Sequence, residues 1–273
     1  MHAGAPAATG TGPAGDEAIF GNIVVGLDAT AESLVGAAQA GALRAPGGRL
    51  VLLAVAERHL AAFAGLGAAS AERHLLADTD AELAFAKELV DADEARLASG
   101  DLVGLLCSEC SRRGATLIAV GVRPHRRLSA LTFGGHDLHA LHDVPCSVLI
   151  ARPGWGPHRP ERIVVGVDGS PAARAAEGVA RSLGARLGCD VLPVVGLGGE
   201  VPAELLREER DDALLDPRPM AEAVVGASSK SSLVVVGRGS ARGRRWGGDV
   251  VERIVYSARC SVLVVQHELA APA

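Results

Sequence analysis

The chain has 273 residues, of which 48% are hydrophobic but only 3% are aromatic, and its formal net charge is -5. This length suffices for two domains of ordinary size, and the negative charge argues against a general nucleic-acid binder. A core with so few aromatic residues must be built from Val, Leu, Ile and Ala, which is typical of strands covered by helices on both faces.

The start of the chain lacks the features of a targeting signal. Residues 1–18 are rich in Ala, Gly, Pro and Thr and contain neither a basic start nor an apolar run, so we predict a disordered tail. No stretch of the chain approaches the roughly 20 apolar residues of a membrane span. We therefore expect a cytoplasmic protein with no membrane partner, and the five cysteines fit a reducing compartment.

Strands and helices alternate in the pattern of residues 19–151. A run of β-branched residues predicts a first strand at Asn22 to Leu27, and Pro46 with two following glycines ends the next helix. Alternation of this kind predicts a mainly parallel sheet with right-handed crossovers. The predicted elements are strand 22–27, helix 31–44, strand 49–55, helix 70–89, strand 94–97, helix 102–113, strand 116–120, helix 135–143 and a last strand after Pro145.

Three ordered sequence matches show that the chain contains a duplication. Each match is a strand-like run that occurs once in either copy, so we predict two tandem domains of one fold. Each domain should be a Rossmann-like α/β unit with a mainly parallel five-stranded sheet and helices on both faces. The matched runs are 23–28 with 163–168, 117–121 with 233–237, and 146–150 with 260–264.

The second copy, residues 161–267, is shorter than the first. A Pro- and Gly-rich linker, residues 152–160, precedes it. Asp28 and Gly121 are 93 positions apart, whereas Asp168 and Gly237 are only 69 apart. We assign this loss to the long helix of the first copy, so that one face of the second sheet is thinly covered. The second copy then consists of strands 163–167, 191–195, 233–236 and 261–265, a helical remnant at 201–211, and a tail at 268–273.

The cysteines are predicted to be structural. Cys146 and Cys260 begin the last strand of each copy, where a small apolar residue is favoured, and are predicted core thiols. Cys107 and Cys110 form a Cys-x-x-Cys pair on a predicted helix. Such a pair can be a redox or metal site, but no second Cys or His pair accompanies it at zinc spacing. A structural role is therefore favoured for this pair as well.

No metal site or catalytic set is predicted. His136, His139 and His142 lie three residues apart on the predicted helix, but successive steps of three drift around a helix and the second copy lacks all three. Ser170 follows the first strand of the second copy and is a better helix N-cap than a nucleophile. We therefore expect no enzyme; slow ATP hydrolysis, which has no assignable base here, is the weakest reading.

A ligand crevice is predicted at the carboxyl ends of the strands, where open parallel sheets bind their ligands. Asp28 ends the first strand and Gly121 ends the central strand, so the loops that follow them should face one another. Gly134 and Gly135 open the predicted helix after the central strand. Small residues at a helix N-terminus let backbone N–H groups approach an anion.

At these positions the chain resembles the universal stress protein family, in particular its tandem two-domain members, over residues 19–267. In the nucleotide-binding branch of that family, the loop after the fourth strand reads G-x-x-G, nine residues, then G-[ST]. The resemblance implies that this loop holds ATP phosphates and that the first-strand Asp lies near the adenosine. Asp28, Gly121 and Gly134 match, whereas Pro124 replaces the second glycine and Gly135 replaces the hydroxyl residue.

The second copy departs further from the family pattern. Gly237 and Gly248 match the outer glycines, but they are 11 positions apart instead of 13, and Asp249 takes the hydroxyl position. A carboxylate about 4 Å from a phosphate repels it by roughly 1 to 4 kcal/mol, so the first copy is the better ATP site. The candidate nucleotide-binding residues are Asp28, Gly121, Arg123, Gly134, Gly135, Asp168, Gly237, Gly239 and Gly248.

Arginines are clustered in the loops after both central strands. The forked guanidinium group suits phosphate and can replace lost loop donors, but a solvated basic loop is the alternative. Trp246, in the second loop, can stack on a base or anchor the loop, and anchoring is favoured. The clustered arginines are Arg123, Arg126, Arg127, Arg238, Arg242, Arg244 and Arg245.

The resemblance implies a stress-response regulatory or binding protein, and two functions stay open. In the first, the first copy binds ATP, with Mg²⁺ as its only metal. In the second, both ATP sites are lost and the chain is a module that binds an unidentified protein partner. Family members pair their last strands across a dimer, which implies contact between 148–151 and 262–265. One chain would then mimic a dimer, or two chains would form a homodimer.

Overall fold

The structure, a computed structural model, describes residues 19–28, 30–56, 68–99, 102–122, 132–133, 136–137, 141, 144–155, 159–198, 212–238 and 249–266. The first half (residues 19–151) contains β1 (Asn22–Leu27), α1 (Ala31–Leu43), β2 (Arg49–Ala56), α2 (Ala68–Leu89), β3 (Glu94–Ser99), α3 (Leu102–Arg113), β4 (Leu117–Gly121), β5 (Thr132–Phe133), β6 (His136–Asp137) and β7 (Ser147–Ala151). The second half (residues 161–266) contains β8 (Arg162–Gly166), α4 (Pro171–Leu187), β9 (Asp190–Gly196), β10 (Leu214–Asp216), α5 (Met220–Ser228), β11 (Leu233–Arg238), α6 (Asp249–Ser257) and β12 (Ser261–Gln266).

Ten of these strands form one continuous sheet in the order β10-β9-β8-β11-β12-β7-β4-β1-β2-β3. Within each half every described pairing in this sheet is parallel. Counted outward from the middle of the sheet, the equivalent strands of the two halves follow in the same order. The halves are therefore related by an approximate two-fold axis. The predicted fold class, two Rossmann-like units of five strands each, is confirmed.

Apolar side chains cover both faces of the sheet and extend across both halves. On one face, α1, α2 and α4 pack on residues such as Val25 and Leu149. On the opposite face, α3, α5 and α6 pack on residues such as Val148 and Val234. Successive residues of a strand point to opposite faces, so continuous runs of Val, Ile and Leu supply both layers. The sheet is therefore buried on both sides, as parallel sheets require.

The two halves join where β7 pairs antiparallel with β12. Leu149 lies opposite Leu263 at the centre of this pairing, and both side chains are fully buried. Hydrogen bonds at the two ends repeat the symmetry. The Ser261 hydroxyl accepts from the backbone N–H of Arg152 at 3.0 Å, and the Ser147 hydroxyl accepts from the N–H of Gln266 at 3.2 Å. The junction is thus an ordinary part of the sheet rather than a flexible connection.

The N-termini of the equivalent helices α1 and α4 have side-chain caps. Thr30 caps α1 in a reciprocal arrangement with Ser33, in which each side chain bonds to the other residue's backbone N–H. Ser170 caps α4 by accepting from the N–H of Ala173 at 3.1 Å, and Pro171 occupies the first helical position. These caps satisfy N–H groups that have no partner within the helix. The predicted capping role of Ser170 is confirmed.

The helix predicted at residues 135–143 is wrong at its start. Thr132–Phe133 pairs antiparallel with His136–Asp137, so His136 and Asp137 are in a strand. Two glycines separate the paired segments in the sequence, and Gly-Gly is a favoured connection between antiparallel strands. The helical spacing considered for His136 and its neighbours therefore does not apply at His136, and His139 and His142 lie outside the described residues.

The second half also contains a strand that the sequence did not predict. β10 has three residues and lies at the edge of the sheet, paired with β9. It is too short for any periodicity, and Pro217 and Pro219 follow it closely. Between β9 and β10 lie 17 residues, against 37 between β2 and β3, so most of the length difference is found there. The predicted helical remnant at 201–211 lies outside the described residues.

In the part of the chain that the structure describes, no helix is long and apolar enough to cross a bilayer. The predicted tails, residues 1–18 and 268–273, fall outside that part.

Candidate functional site

The predicted crevice of the first half lies beyond the paired ends of β1 and β4. Gly26 pairs with Val120, which brings Asp28 and Gly121 to the same edge of the sheet although they are far apart in sequence. The Thr30 hydroxyl donates to a carboxylate oxygen of Asp28 at 2.5 Å. Since Thr30 also caps α1, one short segment orients both the carboxylate and the start of the helix.

Gly121 is needed for packing at this edge. A Cβ at this position would overlap the Glu32 carbonyl oxygen, and a Cβ at Gly36 would lie only 2.8 Å from the Gly121 nitrogen. The first turns of α1 therefore lie directly on the end of β4. The absence of a side chain at Gly121 is explained by this helix contact, whether or not a ligand binds.

The second half repeats the arrangement. A Cβ at Gly237 would overlap the Ala172 carbonyl oxygen in the first turn of α4. The Asp168 carboxylate accepts from the N–H of Ser170 at 2.9 Å, and Gly169 between them has a φ of 79°, which favours glycine. Both candidate residues described in this half thus serve its fold, as their counterparts do in the first half.

A second carboxylate, Glu82 of α2, lies near the crevice of the first half. Partial burial raises the pKa of Glu82, and the negative charge of Asp28 raises it further. Two nearby carboxylates disfavour an anion at this end of the crevice. They suit hydrogen-bond donors such as sugar hydroxyls, or a cation. Glu82 has no signal in the sequence, because its helix precedes β3 and nothing in the helical pattern separates it from exposed helical acids.

We expect Glu82→Gln to stabilise the protein at neutral pH. A raised pKa in the folded state means that the charged carboxylate destabilises the fold above the ordinary glutamate pKa of 4.5, and that this penalty disappears as the pH falls below that value. Thermal melts should show a higher Tm for the variant at pH 7 and equal values near pH 4. Asp80→Asn removes an exposed carboxylate from the same helix and should leave Tm nearly unchanged. An unaltered Tm for both variants would contradict the raised pKa of Glu82.

Several candidate residues lie outside the described part of the chain. These include the loop glycines and most of the clustered arginines, so nothing is established about their contacts. They are Arg123, Arg126, Arg127, Gly134, Gly135, Gly239, Arg242, Arg244, Arg245 and Gly248, together with Trp246.

Arg238, the one clustered arginine that the structure describes, is not part of a solvated basic loop. Its side chain is buried, and its guanidinium donates to Val144 O at 2.6 Å and to the Gln266 side-chain oxygen at 2.8 Å. Arg238 therefore links the second half to the first, close to the junction of β7 and β12. The interpretation of this residue as a phosphate ligand or exposed arginine is wrong, because a sequence cannot distinguish a strand-end arginine that turns inward from one that turns outward.

Arg152, the first residue of the predicted linker, is a second buried arginine at the junction. Its guanidinium donates to Cys260 O at 3.2 Å and to Val255 O. Burial lowers the pKa of Arg152 to about 10, so the side chain stays protonated at neutral pH. An arginine beside the end of β7 and one at the end of β11 thus each donate to carbonyl groups that precede the last strand of the other half.

The described residues include no group of three or more His, Cys, Asp or Glu side chains arranged to hold a metal ion. The predicted core position of Cys146 and Cys260 is confirmed, since they are 1% and 4% exposed. Cys107 and Cys110 lie in α3 with different surroundings, because Cys110 is buried and Cys107 is partly exposed.

Comparison with known proteins places the first half in a family. Residues 20–152 match the model described as the universal stress protein family, a stretch that contains Asp28, Glu82 and Gly121. A comparison with curated protein sequences gave no match.

Solved structures of similar architecture extend over both halves. A universal stress protein from Archaeoglobus fulgidus DSM 4304 has a TM-score of 0.63 at 15% identity, over 91% of this chain and 99% of its own. A putative universal stress protein from Pseudomonas aeruginosa has a TM-score of 0.61 at 15% identity, over 94% of this chain and 99% of its own. A functionally unknown protein from the same species has a TM-score of 0.61 at 16% identity, over 93% and 98%. At these identities the likeness establishes the fold.

Proposed function

Because the chain belongs to the universal stress protein family through residues 20–152, we propose that it is a stress-response regulatory protein that binds ATP in its first half. The observation that carries this proposal is the position of Asp28 and Glu82 beside the end of β1. These carboxylates supply acceptors for the sugar hydroxyls of a nucleotide, while their charge keeps the phosphates toward the other side of the crevice.

The described residues fit an adenine nucleotide at the sugar end. Carboxylate oxygens are acceptors with no donor of their own, so Asp28 and Glu82 match the donor character of ribose hydroxyls. Arg123, Gly134 and Gly135 would hold the phosphates, since guanidinium and unobstructed backbone N–H groups bind such anions. Bound ATP would add its triphosphate charge and its Mg²⁺ to the edge of the sheet where α1 begins.

The first half is the better candidate of the two. The family match includes its crevice and ends before the second half. In the second half, Asp168 has the equivalent position, but the connection between β9 and β10, which corresponds to the one that contains α2 and Glu82, is only 17 residues long. The shorter second loop and Asp249 weaken that site further. We therefore propose one ATP per chain.

We expect Asp28→Ala to weaken ATP binding at least tenfold, because it removes one acceptor from the sugar end of the site; a tenfold loss corresponds to about 1.4 kcal/mol. Isothermal titration of nucleotide-stripped protein with Mg-ATP should give one site for the wild type. Asp168→Ala is the matched control, since Asp168 has the same place in the second half, and it should leave the affinity unchanged.

Other outcomes of this titration would change the proposal. Two sites per chain, with Asp168→Ala affecting one of them, would show that both halves bind. No heat at several temperatures and millimolar ATP would reject the proposed function and favour the interaction module. An equal loss in both variants would mean that these carboxylates act through the fold rather than through the ligand.

A further inference from the structure

Two cysteines that are distant in sequence meet in the core of the first half. The Sγ atoms of Cys110, in α3, and Cys146, next to the start of β7, lie 3.0 Å apart. No other atom fits between two sulfurs at this separation, and a disulfide bond of about 2.0 Å requires an approach of only about 1 Å. Both residues are free thiols and each is 1% exposed.

This pairing differs from the one that sequence spacing suggested. Cys107 lies three residues before Cys110 on the same helix, but the partner of Cys110 comes from the neighbouring strand. The second half provides an internal comparison. Cys260 has the position of Cys146. Cys110 lies seven residues before β4, and the residue seven positions before the matched strand β11 is Gly226. A thiol pair at this place is thus confined to the first half.

We propose that Cys110 and Cys146 are an oxidisable pair that forms an intramolecular disulfide when the protein meets a peroxide. This inference is independent of nucleotide binding and goes beyond the proposed function. In a reducing compartment the resting state is the dithiol, and disulfides that form there are transient and redox-sensing.

The reaction balances with hydrogen peroxide as the two-electron oxidant. The Cys110 thiol ionises and its thiolate attacks one peroxide oxygen, the O–O bond breaks, and Cys110 becomes a sulfenic acid while the other oxygen leaves as hydroxide, which takes up the proton released by Cys110 to give water. The Cys146 sulfur then attacks the Cys110 sulfur, the S–O bond breaks, and a second water leaves with the proton of Cys146. Two thiols lose two protons and two electrons, and one peroxide becomes two waters.

The local environment supports Cys110 as the first residue to react. Its hydrogen bond with Cys146 lowers the pKa of the Cys110 thiol and raises that of Cys146. The thiolate is the reactive form of cysteine. Because both sulfurs are buried, only a small oxidant such as peroxide can reach them.

The disulfide would enclose the whole connection between β4 and β7, which lies between Cys110 and Cys146 in the sequence. Cys110 and Cys146 are 36 positions apart, and a cross-link that closes a loop of this length restricts the unfolded chain. The oxidised protein should therefore melt at a higher temperature than the reduced protein. We expect a rise of about 5 °C or more for a chain of this size.

The test treats the reduced full-length protein with hydrogen peroxide, blocks the remaining thiols with an alkylating agent, and maps disulfides by mass spectrometry without reduction. We expect loss of two hydrogens from the intact mass, a Cys110–Cys146 cross-linked peptide, and a raised Tm that a thiol reductant reverses. Cys107→Ser should retain the cross-link, which separates Cys107 from Cys110 within their shared peptide. Cys260→Ser, the matched control from the second half, should retain it too.

Cys110→Ala and Cys146→Ala should each abolish the cross-link and the rise in Tm. The mapping of the wild-type protein does not depend on either variant folding. A Cys107–Cys110 disulfide, a sulfinic acid at Cys110 without a cross-link, or two unmodified thiols after a peroxide treatment that oxidises free cysteine would each overturn the proposal.

Discussion

Replacement of Gly121 by alanine is expected to destabilise the protein by about 3 kcal/mol, the upper part of the range for overpacking in a close-packed interior. The added methyl group would overlap the backbone carbonyl of Glu32 in the first turn of α1. A backbone oxygen cannot rotate away as the end of a side chain can, so the helix must shift from the sheet. The shift would also open contacts between Gly36 and the end of β4.

Urea unfolding monitored by circular dichroism would measure the loss. Gly178→Ala is the matched control, because Gly178 is an exposed helical residue of α4 with no atom within 4 Å of an added Cβ. Alanine is a better helix former than glycine by about 0.5 to 1 kcal/mol, so the control should be as stable as the wild type or slightly more stable. Equal midpoints for the Gly121 variant and the wild type would show that α1 does not lie on β4 as described.

Leu149→Ala is expected to cost about 3 kcal/mol, within the usual range for a buried leucine. The side chain is fully buried at the junction of the halves and lies opposite Leu263 of β12. Truncation of this side chain leaves a cavity, because the surrounding core residues hold β7 and β12 in place. Because one sheet contains both halves, we expect the whole protein to unfold in a single transition at a lower urea concentration.

Leu215→Ala provides the same chemical change at the surface. Leu215 is 59% exposed on the edge strand β10, so the substitution should alter stability by less than about 0.5 kcal/mol. In a Trp246→Phe background, tryptophan fluorescence reports on Trp155, which is buried and is linked through Gln39 to Ser261 of β12, while circular dichroism reports on the whole sheet. Separate midpoints for these two signals would contradict cooperative unfolding of the halves.

The strands of the sheet were predictable where the sequence contains a long apolar run. β1, β4, β11 and β12 are such runs, and the duplication identified each of them a second time. β10 escaped detection because three residues give no periodicity. The helix predicted at 135–143 is wrong at its start, where His136–Asp137 pairs with Thr132–Phe133, because a Gly-Gly pair in a sequence is compatible with a hairpin as well as with a helix start. Local patterns therefore located the core of the sheet but not its edge or its irregular connections.

The candidate site was predictable only in part, because its contacts join distant parts of the chain. The chain order alone placed Asp28 and Gly121 at one edge, since parallel strands align their carboxyl ends. The contact between Gly121 and Glu32, the repulsion between Glu82 and Asp28, and the inward turn of Arg238 all depend on how helices and side chains pack on that edge. None of these contacts has a local signal in the sequence.

The antiparallel pairing of β7 with β12 has a consequence for evolution as well as for stability. In a dimer of separate subunits, such a pairing weakens on dilution, and any substitution enters both sides of the interface at once. Within one chain the two strands meet at a fixed effective concentration. Each half can also change alone. A duplicated protein of this kind can therefore keep one crevice under selection for a ligand while the other drifts, provided that the shared strands still match.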